Sequence, residues 1–130
     1  MGRYIKKYPD ELDLLEFFCA EPYHREVPEG NFAYLYTDAE DVTLDFGFSI
    51  IEGWLSIFIR HNEKDVVHTT YEGIEKFAIK EYKKDKYIQA IIEAGAFLIT
   101  LKIYVEPSIR VETWIADSEI FGRKWRGSEP

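Results

Sequence analysis

The chain has 130 residues, 46% of them apolar and 16% aromatic, enough apolar surface to offset the entropy of ordering and to fill one core, which excludes a disordered chain. Its 24 acids against 16 bases give a formal charge of −8; that field repels phosphate backbones and anionic lipid, which sets nucleic-acid and membrane-surface binding aside and leaves attraction for a basic protein surface, or simple solubility. The single cysteine, Cys19, excludes an intrachain disulfide and a thiolate-rich zinc site and, with no signal-peptide core and no 18-residue apolar run, fits a reducing cytoplasm.

In chain order, a short N-terminal arm leads to Pro9-Asp10, which opens a helical stretch, DELDLLEFFCAE. Asp10 is its N-cap, Glu11 and Asp13 suit the positive end of the dipole, and Pro22 ends it. Leu12, Leu15, Phe18 and Cys19 predict the face that packs on a sheet, with Cys19 a buried, inert thiol. Residues 22–31 are rich in turn formers and read as an exposed connection.

Phe32 to Thr37 follows as a short aromatic strand. The turn Asp38-Ala39-Glu40-Asp41 leads into the stretch on which the fold is organised, VTLDFGFSIIEGWLSIFIRH from Val42 to His61. Val42, Leu44, Phe46, Phe48 and Ile50 alternate with Thr43, Asp45, Gly47 and Ser49, the period of a half-buried strand. Leu55, Ile57 and Ile59 share one face of the next strand and Trp54, Ser56, Phe58 and Arg60 the other, which places that strand inside a sheet. Glu52-Gly53 turns between the two, with glycine free to take a positive φ.

Val66 to Tyr71 is another strand, and Glu72-Gly73 repeats the Glu-Gly turn. Ile74 to Tyr82 sets Ile74, Lys76, Ala78 and Lys80 on one face and Glu75, Phe77, Ile79 and Glu81 on the other, neither uniformly apolar, and reads as an edge strand guarded by Lys and Glu. Lys86 to Gly95 combines strand alternation with good helix formers, and its Ile88, Ala90 and Ile92 favour a strand. Ala96 to Val105 and Ile109 to Ala116 complete the series. Short connections favour antiparallel pairing. The expectation is an α+β chain, mostly β, with an N-terminal helix packed on a twisted antiparallel β-meander of about seven or eight strands. Residues 1–122 form a single domain and 123–130 a basic tail.

No catalytic signature accompanies these elements. His24, His61 and His68 lack metal-ligand spacing, Ser49 lacks the glycines of a nucleophile elbow, and GFSIIEG matches no phosphate-binding loop. No cofactor is implied. Residues 1–60 hold 12 acids and 5 bases, residues 61–130 hold 12 acids and 11 bases, so the first half carries almost all the excess charge. Its acidic and aromatic segment, with Tyr36, Asp38, Glu40, Asp41 and Asp45, combines rigid amphipathic rings with carboxylates, as a surface that captures a basic partner would.

Size, acidity, one helix on a meander and the phrase HTTYEGIEKFAIKEY from His68 to Tyr82 resemble the small immunity proteins of bacterial polymorphic-toxin and contact-dependent growth inhibition systems, some of which carry a strand, F/Y-E-G-I/V, strand phrase. The resemblance covers about a third of the chain. It implies a cytoplasmic, non-enzymatic protein that binds one cognate toxin domain, frequently a basic nuclease. No binding residue carries over by motif, so Tyr36, Asp38, Glu40, Asp41 and Asp45 rest on the residues alone. The alternative is a small-ligand-binding domain or enzyme with an aromatic-lined pocket built from Trp54, Trp114 and the tyrosines; a structural subunit of a homodimer is a third reading.

Overall fold

A computed structural model describes residues 4–117. The basic tail expected at 123–130 lies outside them. One helix, α1 (Glu11–Phe18), precedes nine strands among the described residues, β1 (His24–Glu26), β2 (Asn31–Thr37), β3 (Val42–Ser49), β4 (Trp54–His61), β5 (Lys64–Glu72), β6 (Ile74–Tyr82), β7 (Asp85–Ala94), β8 (Phe97–Glu106) and β9 (Arg110–Asp117). The α+β, mostly β class is borne out. The meander is divided between a sheet of β1-β2-β3-β4-β5 and a sheet of β6-β7-β8-β9, every neighbouring pair antiparallel.

The alternation around Val42 to His61 builds the first sheet. Register sets Phe32, Phe48, Leu55 and Tyr71 in one cross-strand row, Tyr34, Phe46, Ile57 and Thr69 in the next, and Tyr36, Leu44, Ile59 and Val67 in a third. These rows face inward. The second sheet answers with Phe77, Ala90 and Leu101, and with Ile79, Ile88 and Ile103. The two inner faces share one apolar core, in which Phe77 lies edge-on to Phe46 and Phe48 at 5.9 and 5.0 Å between ring centres. Each fully buried side chain of this size contributes about 1.5–3 kcal/mol.

The division into two sheets falls at Gly73, where sequence reading expects the Glu-Gly turn to repeat. Its φ of 77° is a left-handed conformation that glycine takes without strain, and it turns the chain out of one sheet and into the other. The Ile74 amide donates to the Gly53 carbonyl at 3.0 Å and the Glu93 amide to the Gly73 carbonyl at 3.1 Å, which pins the crossing to both sheets. A hairpin at Asn62-Glu63 does form, both residues at positive φ, the geometry whose twist matches a two-residue loop.

β6 is an edge strand, as expected, and residues of the N-terminal arm cover part of that edge: the Lys6 amide donates to the Glu75 carbonyl and the Phe77 amide to the Lys7 carbonyl. A bulge between Ile74 and Lys76 puts Ile74 and Phe77 both in the core, where strict alternation would separate them.

Three local expectations are corrected. The helix ends at Phe18, with Cys19 as its left-handed C-cap at φ 58°; Cys19 is exposed, not a buried thiol. The buried face is Leu14, Phe17 and Phe18, an i, i+3, i+4 set one position out of phase with the one expected, and Leu12 is 63% exposed. The aromatic pair decides this: Phe18 stacks on Tyr34 at 4.8 Å, and Lys86 Nζ of the second sheet lies 5.4 Å over the Phe17 ring, so the helix packs against both sheets. The exposed connection at 22–31 contains β1, which adds a fifth strand to the first sheet. The expected N-cap holds, Asp10 accepting from the Asp13 amide at 2.8 Å.

Candidate functional site

The acidic segment distributes its five residues over three settings. Asp38, Glu40 and Asp41 form the turn between β2 and β3. Asp38 is the turn's organiser: one carboxylate oxygen accepts from the Glu40 and Val42 amides at 2.9 and 3.0 Å, and the other from the Ile109 amide at 3.0 Å. Desolvation alone would raise its pKa, but these three donors outweigh it and hold the carboxyl below its ordinary value. Glu40 and Asp41 are exposed. Tyr36 sits on the inner face, half-buried against the core, and burial followed by the charge of Glu106 pushes its phenol up. Asp45 pairs with Leu35 and Phe58 and so lies on the outer face of the first sheet.

That outer face carries a groove. Ala33, Gly47 and Ser56 are aligned across β2, β3 and β4. Their small side chains form the floor of a groove of about 480 Å³, open to solvent along its length, with Tyr23, Asp45 and Phe58 on one wall and Asn31 and Trp54 on the other. A Cβ on Gly47 would stand 3.2 Å from Ser56 Oγ, so glycine keeps this floor low.

The walls are braced by hydrogen bonds in which carboxylates accept from neutral donors. The Tyr23 hydroxyl donates to Asp45, 2.8 and 2.9 Å from its two oxygens. The Trp54 indole N–H donates to Glu52 at 2.9 Å. Asn31 donates to Glu26 at 3.1 Å; this bond first, and His24 second, lower the Glu26 pKa. Phe58 stacks on His68 at 4.6 Å, and the Arg60 guanidinium lies 4.5 Å over the Phe58 ring. Arg60 is also 3.4 Å from Asp65. Desolvation, then the bond to Asp45, pushes the Tyr23 phenol to about 12.

The outer face of the second sheet holds its cations over aromatic rings. On the outer face of the second sheet Lys102 is 4% exposed, its Nζ 5.2 Å over Tyr87 and 4.9 Å over Trp114. Arg110 lies 3.7 Å over Tyr104 and contacts Glu112 and Asp85. By register Lys76 and Lys80 share this face. The outer face of the first sheet carries Glu26, Asp45 and Glu72 in its strands. Both faces also carry the opposite charge, Arg60 on the first and Glu112 and Asp85, paired with Arg110, on the second.

Trp54 and Trp114 lie on these two separate faces, which corrects the expectation that they could line one pocket; the space between the sheets is the apolar core. Among the described residues no three His, Cys, Asp or Glu side chains are grouped so as to hold a metal ion, and no helix is long and apolar enough to cross a membrane. Sequence reading identified Asp45 and Trp54 separately but missed the groove joining them. Its signal was present in the small residues Ala33, Gly47 and Ser56, which only strand register aligns.

No family model matches the chain, and no curated protein matches it. Among solved structures, a chain of the contact-dependent growth inhibition toxin–immunity protein complex from Klebsiella pneumoniae 342 is similar, with a TM-score of 0.82 and 28% identity over 88% of this chain and 100% of that one. The resemblance to immunity proteins of contact-dependent growth inhibition systems, drawn above from about a third of the sequence, is borne out.

Proposed function

We propose that this chain is an immunity protein that binds one cognate toxin domain in the cytoplasm and neutralises it, without catalysing a reaction of its own. The observation that carries this reading is the similarity, over nearly the whole length of both chains, to a chain of a toxin–immunity protein complex. The net charge of −8 supports a basic partner. A toxin that cleaves nucleic acid presents a cationic surface to its substrate, and an acidic protein competes for that surface by the same electrostatics.

Within the acidic segment, Glu40, Asp41 and Asp45 offer free carboxylate oxygens to such a partner. Asp38 serves them by fixing the turn, and Tyr36 by anchoring β2 to the core. The test is titration of the purified chain with the toxin domain encoded beside its gene. The reading predicts a tight one-to-one complex that abolishes the toxin's activity and whose association rate falls as salt is raised. Absence of a complex, or a complex that leaves the toxin active, overturns it.

A further inference from the structure

We propose that the groove across the outer face of the first sheet is where the toxin docks, and that it receives an arginine-bearing segment of the toxin between Asp45 and Trp54. This rests on the immunity reading and adds to it the location and chemistry of the contact.

Three observations lead to it. The first is shape. The floor of Ala33, Gly47 and Ser56 is low, and the walls stand up from strand positions held in register on both sides. Because the groove is open along its length, an isolated small molecule would bury little of itself there, whereas a protruding side chain is held in place by the rest of a protein interface.

The second is charge. Asp45 and Glu52 each receive a hydrogen bond from a neutral donor, Tyr23 and Trp54, and neither is paired with a lysine or arginine among the described residues. A carboxylate has about four acceptor sites, and one donated hydrogen leaves the others free for a guanidinium, which engages two oxygens at once. The acid lining the groove is Asp45, oriented by Tyr23 and not ion-paired among the described residues, while Arg60 on the same wall is engaged with Asp65; Glu52 adjoins the groove through its bond from Trp54.

The third is rigidity. Trp54 is tied to Glu52, Tyr23 to Asp45, and Phe58 is stacked on His68 with the Arg60 guanidinium over its ring. Side chains fixed before binding lose little freedom on binding, and Trp and Tyr in such settings carry a disproportionate share of interface energy.

The experiment compares variants for binding to a catalytically inactive form of the toxin domain encoded beside the gene. Asp45→Asn with Glu52→Gln removes the charge and keeps the shape; Trp54→Ala removes one wall; Lys80→Gln, on the far sheet, is the reference. The groove variants are expected to bind about tenfold more weakly or worse, and the Lys80 variant within about twofold of wild type. The charge-only pair keeps the test decisive should Trp54→Ala unfold, and hydrogen exchange in the wild-type complex should show protection across β3 and β4. A wild-type chain that binds while both groove variants bind equally well overturns the groove and leaves the immunity reading standing. A wild-type chain that does not bind at all overturns both.

Discussion

The carboxylate of Asp38 accepts the backbone N–H of Ile109, 71 residues away, at 3.0 Å, and so ties the β2–β3 turn of one sheet to the entry of β9 in the other. The remaining oxygen of the same carboxylate organises its own turn. Asp38→Ala leaves three amides without this acceptor, and loss of hydrogen bonds to a charged group costs about 1–3 kcal/mol. Urea denaturation should show that loss; unchanged stability would contradict the role.

The same group sets a pH dependence. Burial works to raise the Asp38 pKa, but the amides of Ile109, Val42 and Glu40 hold it below the ordinary 3.8. A pKa lowered by folding contributes stability that is complete above the unfolded value and is lost as pH falls through the folded one. The stability gap between wild type and Asp38→Asn should therefore be constant near neutrality and shrink below pH 3.8. A gap that stays constant into strong acid would contradict this.

Tyr23 shifts the other way. Its phenol is raised to about 12, first by desolvation and then by the bond to Asp45. A raised folded pKa contributes stability that is complete below the ordinary value of 10 and is lost as pH climbs toward 12. In Asp45→Asn the phenol should titrate lower than in wild type yet still above 10, because burial, the larger cause, remains. The difference in tyrosinate absorbance between each protein and its Tyr23→Phe counterpart measures this directly; no change on replacing Asp45 would refute the coupling.

Phe77 joins the two sheets through its contacts with Phe46 and Phe48 and is 2% exposed. Phe77→Ala should cost roughly 3–5 kcal/mol, the range for a buried aromatic truncated to a methyl group. Thermal and urea unfolding read it, and a loss below about 1 kcal/mol would mean that the sheets close without it.

Much of the fold is legible in the residues because strand alternation is a local property. Val42 to His61 announces two paired strands, and even the ambiguous Lys86 to Gly95 forms β7. What escapes is decided at long range. Glu72-Gly73 looks like Glu52-Gly53, yet one crosses between sheets and the other closes a hairpin, and the difference lies in which carbonyls wait nearby. Leu12 and Leu14 are equally apolar in sequence; Phe18, one turn after Leu14, seats on Tyr34 and Phe46, and the face it shares with Leu14 is the one buried. The groove is hidden for the same reason, since Tyr23, Asp45 and Trp54 meet only once β1 to β4 are in register.

The most direct test is growth. The toxin domain encoded beside the gene is induced in cells with and without this chain. Arrest in its absence and normal growth in its presence are predicted, with protection weakened in the Asp45→Asn, Glu52→Gln pair. Arrest that persists while the folded chain is abundant would contradict the immunity function itself.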